Sequence, residues 1–442
     1  MLNRFKIFRV FCVLPQLMYV ILGFVLLLAS FVYHFVVPLT PGRLGRESVE
    51  LFAASGGWRW LVQQVVVPAD SWGVAVLLAV LLAVLGVGYA TAVYLSWNRT
   101  NKIAVWLVLG FAGLFYLLSV VALPNVNTDL FNYMVNGRLT AVYQQNPYFT
   151  AADAYPDDPI YPYASRNYTA NPEDKLPVWT LLNVLLAWLA GDDPVTNLFV
   201  YRSALLLFNL ANVGLVAAIL HRWRPEHLLA GLVVYAWNPI VMLFGQGKTD
   251  VVMVFWLLLG VWLWQNGRFL LAPLSLMASV LVKLITAPLL LVYLLGELRT
   301  ERRWYWVGVG LTAVVVAALA YWQLSAVQQL VAWYVAILWA KDEPFGSVLA
   351  QGGLLLLVGG IGLFYATDFT KALHGWGWIL VYFALFMARF SFSWYLLTLI
   401  AVSALVPNRW LVRVVWLLSL LSLALNMWGA AFTAVFPPPF SS

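Results

Sequence analysis

The sequence predicts an all-α polytopic membrane protein, and three observations support this fold class. The 442 residues are 63% hydrophobic and only 10% charged, with a mean hydropathy of +0.86. Soluble domains carry about 25% charged residues, so a water-soluble fold of this length would have too few polar groups to cover its surface. The apolar runs are long and continuous rather than alternating, which argues against a transmembrane β-barrel.

Charge and cysteine content exclude two further classes of protein. The formal net charge is +7, but the basic residues are dispersed among apolar segments, so nucleic-acid binding is not predicted. The one cysteine, Cys12, excludes an internal disulfide and a thiolate metal cluster.

Continuous apolar stretches predict 12 to 13 transmembrane helices. A span needs about 20 apolar residues, or fewer where the helix is broken. The first run follows Arg4, Lys6 and Arg9 but is too long for a signal-peptide core, so we expect a retained helix. The predicted spans are 11–38, 72–96, 104–123, 196–220, 228–244, 249–265, 269–282, 284–297, 304–323, 348–366, 375–388, 392–406 and 410–432.

The charge of the connecting segments predicts the orientation in the membrane. With a cytoplasmic N-terminus, the inner segments hold 14 of the 25 Lys and Arg residues but only four of the 18 acidic residues. This asymmetry is the one that the positive-inside rule describes. Residues 39–71 and 124–176 then face outward.

Both outward segments are too polar to be simple connectors. Residues 39–71 include an amphipathic stretch with Trp58 and Trp60, which suits the headgroup layer. Residues 124–176 hold seven tyrosines, six prolines and six acids, and loops of this length are usually functional or disordered. The apolar segment 177–190 is too short to cross a bilayer, and we expect it at the outer interface.

Asp129 is the first candidate for chemistry, because it opens the large loop directly after a predicted span. Low polarity at that depth makes a carboxylate a better general base than a solvated aspartate. The alternative is structural, since an aspartate before an apolar helical stretch is typical of a helix N-cap.

Four cations form a second group of candidates, because they fall at the predicted outer ends of spans. Ionisable groups at that depth are costly and indicate a function. Several of them can converge on one anion, and a lipid-linked phosphate is the natural anion there. The alternative is that each side chain extends to ordinary headgroups. The four are Arg202, Lys248, Lys283 and Arg389.

Two neighbouring acidic residues are the candidate ligands for a metal cofactor. Asp157 and Asp158 have the ligand type that a hard divalent cation prefers, although acids beside Pro159 are also typical of turns. No cofactor is required by the sequence, and a divalent metal stays open.

The order of these residues resembles the GT-C superfamily of polytopic glycosyltransferases over about residues 120–406, and bacterial polyprenol-phosphate-mannose-dependent mannosyltransferases in particular. Trp179 stands in Leu176-Pro177-Val178-Trp179, where the family commonly has a Tyr-Pro-Leu-Trp element. The other shared elements are Asp129, Tyr133, Gly137-Arg138, Asn146-Pro147-Tyr148, Trp237-Asn238-Pro239, Gly247-Lys248-Thr249-Asp250, Leu281-Val282-Lys283 with Pro288, and Trp394-Tyr395-Leu396.

The resemblance implies a catalytic module at 104–442, preceded by N-terminal helices at 1–103. It implies transfer of a hexose, with mannose first, from a polyprenyl-phosphate donor to a glycan or glycolipid acceptor, with inversion, outside a bacterial plasma membrane. Asp129 would be the catalytic base. The donor phosphate would contact Lys248, Lys283, Arg202 and Arg389, and the substrate would contact Tyr133, Arg138, Asn146, Tyr148, Trp179 and Asp250.

Two other functions stay open at this point. A transporter or flippase of a lipid-linked glycan would also have broken helices, but it would bind near the bilayer midplane, where the sequence has no clear ionisable cluster. A polymerase or ligase would instead transfer a whole glycan from a lipid pyrophosphate.

Overall fold

The computed structural model describes most of the chain as helix. It describes residues 2–39, 71–97, 99, 101–123, 129–297, 303–322, 328, 344–387 and 393–435. Within these ranges the structure has no strand, so the all-α class is confirmed. The predicted amphipathic stretch with Trp58 and Trp60, the loop residues 124–128 and Arg389 lie outside the described residues.

The helices, numbered in chain order, follow the predicted apolar segments closely. A single helical turn at Arg166–Thr169 and short 3₁₀ and π turns connect several of them. They are α1 (Leu2–Phe31), α2 (Ser71–Ser96), α3 (Lys102–Val120), α4 (Asp129–Ala141), α5 (Pro177–Ala190), α6 (Pro194–Trp223), α7 (Leu228–Ala236), α8 (Pro239–Phe244), α9 (Asp250–Gln265), α10 (Ala272–Val280), α11 (Ala287–Glu297), α12 (Arg303–Trp322), α13 (Pro344–Gly360), α14 (Phe369–Tyr382), α15 (Leu397–Leu405) and α16 (Arg409–Val435).

Fewer helices than predicted are long and apolar enough to cross a membrane. Among the described residues there are five, or six if Pro225–Ala236 and Pro239–Gly247, which meet at 47°, form one span. Six other apolar helices have only 10–17 residues, about 15–26 Å at 1.5 Å per residue, whereas the hydrocarbon core is about 30 Å thick. The chain is therefore a helical membrane protein, and the count of 12 to 13 spans stays a prediction. The five helices are Gln16–Leu39, Trp72–Ser96, Lys102–Val120, Pro194–Trp223 and Arg409–Met427.

The chain divides into two compact units by its internal contacts, and the predicted division after residue 103 stays a prediction. The first unit comprises Met1–Asn127, Val216–Gln246 and Phe390–Ser442, and the second comprises Thr128–Leu215 and Gly247–Arg389.

Trp237 lies in the core of the first unit. Its side chain is fully buried, and the rings of Phe111 and Phe115 meet it edge-on with centroids 5.9 and 5.8 Å away. The indole N–H donates to the carbonyl of Val108 at 3.0 Å, which joins the end of α7 to α3. Asn238 follows and caps α8, its side chain accepting from the N–H of Ile240 at 2.9 Å. The Trp-Asn-Pro motif is thus a structural element of this unit.

In the second unit, small and hydroxyl side chains allow the short helices to pack closely. The hydroxyls of Ser275 and Ser279 on α10 donate to the carbonyls of Trp256 and Met253 on α9 at 2.7 and 2.8 Å. Such bonds satisfy hydroxyl groups that would otherwise be buried at a cost of about 1–3 kcal/mol. They fix α10 against α9, and the Ser279 bond does so near the end of α10 and the beginning of α9.

Gly137 sets the contact between α4 and α5. A Cβ atom at this position would lie 2.7 Å from the carbonyl oxygen of Asn183 and 2.9 Å from the hydroxyl of Tyr201. The Tyr201 hydroxyl itself donates to the Asn183 side chain at 2.7 Å, so neither group can move without losing a buried hydrogen bond. Only glycine fits this crossing.

We expect Gly137→Ala to destabilise the protein by about 1–3 kcal/mol, because the added methyl group overpacks this contact. Gly214→Ala on α6 is the matched control, since a Cβ atom there meets nothing within 4 Å. The control should be neutral or stabilising by about 0.4–1 kcal/mol. Thermal unfolding of both variants in one detergent measures the difference, and equal midpoints would contradict the packing described here.

Candidate functional site

Asp129 forms an ion pair with a buried lysine. It is the first residue of α4, and its Oδ2 accepts from the Nζ of Lys248 at 2.5 Å. The Lys248 side chain is 1% exposed and that of Asp129 is 22% exposed. Removing an ammonium group from water costs several kcal/mol unless a counter-charge lies beside it. The hydroxyl of Tyr133, one turn along α4, also lies 3.5 Å from the same carboxylate oxygen.

A second ion pair follows at the start of α9. Asp250 begins this helix and is 1% exposed, and the Nζ of Lys283 donates to its two carboxylate oxygens at 3.0 and 3.2 Å. Lys283 lies in an extended break between α10 and the 3₁₀ turn Leu284–Thr286. This break turns the lysine away from a regular helical position and towards the beginning of α9.

The end of the large loop supplies a third set of charges. Lys175 pairs with Asp174, and its backbone N–H donates to Oε1 of Glu173 at 2.9 Å. The other Glu173 oxygen accepts from the Asn136 amide on α4 at 3.2 Å. The Lys175 ammonium also lies 6.0 Å from the centroid of the Tyr133 ring, a cation–π contact that places the loop end beside α4.

These three sets interact electrostatically as one group, which we call the Asp129 cluster. Lys248 is influenced by Asp250 and Lys283 as well as by Asp129, and Lys283 is influenced by Lys175. All members belong to the second unit. The cluster contains four carboxylates and three ammonium groups, namely Asp129, Glu173, Asp174, Lys175, Lys248, Asp250 and Lys283.

Burial moves the pKa values of several members of the cluster towards neutral pH. It lowers the pKa of Lys248 from its usual 10.5 to about 8, although the charge of Asp129 opposes this shift. Burial also raises the pKa of Glu173 to about 7, and it lowers the pKa of Lys283. For Lys175, burial favours the neutral form, but Asp174 and Glu173 outweigh it and raise the pKa. Shifts of this kind are concentrated at functional sites.

The aromatic candidates divide into two groups. Tyr133 and Trp179 are buried and meet edge-on with centroids 5.0 Å apart, and Tyr133 contacts the cluster directly. Tyr148 instead shares a hydrogen bond with the Thr180 hydroxyl at 2.9 Å, and the Asn146 side chain accepts from the Tyr148 N–H at 3.0 Å. Tyr148 and Asn146 therefore fold the loop onto the start of α5.

The guanidinium group of Arg138 forms hydrogen bonds that hold the large loop in its conformation. Its guanidinium donates to Asp158 at 2.7 Å, to the carbonyl of Gly191 at 2.7 Å and to Asp192 at 2.8 Å. The residue is 1% exposed, so this fork joins α4, the middle of the loop and the segment before α6. The geometry favours a structural role, and substrate binding by Arg138 stays a prediction.

Asp157 and Asp158, the candidate metal ligands, do not lie together in a group of possible ligands. Asp158 accepts from Arg138, from the Tyr143 hydroxyl at 3.0 Å and from the N–H of Ile160 at 2.9 Å, while Asp157 is exposed. Among the residues that the structure describes, no group of three or more His, Cys, Asp or Glu side chains could hold a metal ion.

Sequence reasoning identified Asp129, Lys248, Asp250 and Lys283 but missed Glu173, Asp174 and Lys175. The signal for these three was an acidic pair followed by a base directly before the Leu-Pro-Val-Trp element, in a loop that otherwise has few cations. Arg202 is buried on α6, and its binding of the donor phosphate stays a prediction.

Searches for related proteins give no independent support for any of these assignments. Comparison of the chain with protein family models, with curated protein sequences and with solved structures finds no match.

Proposed function

We propose that the chain is a membrane glycosyltransferase of the GT-C type. It transfers a hexose, with mannose as the first candidate, from a polyprenyl-phosphate donor to a hydroxyl group of a glycan or glycolipid. The observation that carries this proposal is the Asp129 cluster, in which a partly exposed carboxylate lies beside the buried Lys248, with the partly exposed Lys283 in the same cluster. A carboxylate and fixed cations are the two components that an inverting transfer from a phosphate requires.

The proposed reaction is a single displacement at the sugar carbon. Asp129 accepts the proton of the acceptor hydroxyl, and that oxygen forms a bond to the anomeric carbon from the side opposite the phosphate. The bond between this carbon and the phosphate oxygen breaks, and polyprenyl phosphate leaves with the electron pair. Cations held in place before the reaction stabilise the developing negative charge without reorganising.

Lys248 has two roles in this proposal. Without the donor, it is the counter-charge of Asp129 at 2.5 Å. A phosphate oxygen is a competing acceptor for the same ammonium, because charge-assisted hydrogen bonds to phosphate are strong. Binding of the donor would therefore draw Lys248 away from Asp129 and leave the carboxylate available to the acceptor hydroxyl. Lys283, held by the buried Asp250, supplies a second cation for the phosphate.

Asp129 is tested best in a background that lacks its ion-pair partner. In the native chain, Asp129→Asn would also leave the buried Lys248 ammonium without a carboxylate, which costs about 3–5 kcal/mol when both partners are buried. We therefore compare Asp129→Asn/Lys248→Met with Lys248→Met alone. At saturating donor, the turnover of the double variant should be about 10²–10⁴-fold lower, because an amide cannot accept the proton.

Thermal unfolding of the same two variants is the control, because it shows whether both are equally well folded when their turnover is compared. If Asp129 serves only as the counter-charge of Lys248, its carboxylate is dispensable once Lys248 is removed. The two variants would then turn over at the same rate, and Asp129 would not be the base.

The pH dependence of donor use tests the charge of Lys248. Its ammonium form binds phosphate and is lost as the pH rises through about 8, so kcat/KM for the donor should fall above that pH. Lys248→Arg keeps its charge throughout this range and should extend the plateau to higher pH. Glu173, with a pKa of about 7, is common to both proteins and cancels in the comparison. Identical profiles above pH 8 would contradict phosphate binding by Lys248.

A further inference from the structure

A cavity lies in the first unit where α2 ends and α16 begins. Its volume is about 530 Å³, within the range of about 300–1,000 Å³ that is usual for ligand pockets. Helices α2 and α16 both contain candidate membrane spans, and the cavity is at their ends. We call it the Arg99 pocket, and its polar and aromatic lining consists of Tyr94, Trp97, Arg99, Arg409, Arg413 and Trp416.

Among the residues that the structure describes, the Arg99 pocket carries three positive charges and no acidic side chain lines it. Within the same part of the chain, none of Arg99, Arg409 and Arg413 forms an ion pair with an acid. The Arg409 guanidinium lies 5.5 Å from the ring centroid of Trp97, and that of Arg413 lies 4.9 Å from the ring of Trp410. These cation–π contacts position the guanidinium groups but do not neutralise them. The pocket is therefore complementary to an anion.

A second, apolar groove lies between the same two helices, next to the Arg99 pocket. It has a volume of about 380 Å³ and is lined on α2 by the small residues Ala79, Ala83 and Gly86. Its wall on α16 includes Leu420 and Trp416, and Trp416 also lines the Arg99 pocket. The indole N–H of Trp416 donates to the carbonyl of Gly86 at 3.1 Å, which fixes this residue between the two spaces.

We propose that the Arg99 pocket and the apolar groove together bind one anionic phospholipid of the bilayer. The phosphate headgroup is held by Arg99, Arg409 and Arg413, and an acyl chain lies in the groove. Basic pockets between membrane helices at the cytoplasmic side are typical sites for anionic headgroups. The loop charges predict that this end of both helices faces the cytoplasm, which places the lipid in the inner leaflet.

Two features distinguish this site from arginines that merely extend to the headgroup layer. An arginine that only extends to the headgroups needs no cavity, whereas here three guanidinium groups, two from α16 and one from the segment after α2, border one. Such an arginine also needs no groove for an acyl chain, whereas here small residues on α2 and Leu420 on α16 line one. Both the charge and the shape therefore select the same kind of ligand.

Native mass spectrometry of the full-length chain tests the headgroup part of this proposal. The protein is equilibrated with equal amounts of phosphatidylglycerol and phosphatidylcholine that carry the same acyl chains. We expect preferential retention of phosphatidylglycerol, and a loss of that preference by about 10-fold or more in Arg99→Gln/Arg409→Gln/Arg413→Gln. The control Arg222→Gln/Arg224→Gln/Arg268→Gln removes the same charge from other predicted cytoplasmic segments and should keep the preference.

A second pair of variants tests the groove. Ala83→Trp fills it without changing any charge and should reduce retention of phosphatidylglycerol. Leu207→Trp is the control, at a position on α6 that is 67% exposed. Equal retention of both lipids by the native chain, or an unchanged preference in the Arg99/Arg409/Arg413 variant, would overturn the proposal. Equal retention by Ala83→Trp and Leu207→Trp would also overturn it, because the acyl chain would then lie elsewhere.

Discussion

The buried ammonium of Lys248 is the constraint on which the rest of the candidate site depends. An uncompensated ammonium at 1% exposure would cost several kcal/mol, so the chain must supply a carboxylate at that point. Asp129 does so from the first turn of α4, and the pair thereby fixes the beginning of α4 against the segment that leads into α9. Asp250 at the start of α9 then holds Lys283 by the same principle.

The close packing of short helices makes this arrangement possible. Gly137 lets α4 approach α5, and the serine hydroxyls of α10 bind the carbonyls of α9. Arg138 uses its whole guanidinium fork to hold the loop and the start of α6 together. The site is therefore built from helix ends and from breaks between helices rather than from long spans. At these ends and breaks, side chains can reach backbone groups and side chains of neighbouring segments.

Much of the helical framework could be predicted from the sequence, because hydropathy and capping residues act locally. The segment 177–190 was expected to be apolar and too short to cross a bilayer, and α5 has these bounds, ending where Gly191 adopts a positive φ of 68°. Charges in apolar surroundings were also informative, since Asp129, Lys248 and Lys283 do belong to one cluster. Glu173, Asp174 and Lys175 were missed because charged residues in a polar loop look like solvated surface. The partners of Arg138 could not be predicted either, since they depend on the path of an irregular loop.

The most direct test of the proposed function is transfer itself. Purified protein in lipid vesicles is incubated with a polyprenyl-phosphate sugar labelled in the hexose and with candidate glycan and glycolipid acceptors. The account predicts labelled acceptor, release of polyprenyl phosphate in equal amount, and an anomeric configuration in the product opposite to that of the donor. Movement of the intact labelled lipid across the vesicle membrane without transfer, or a product with retained configuration, would contradict it.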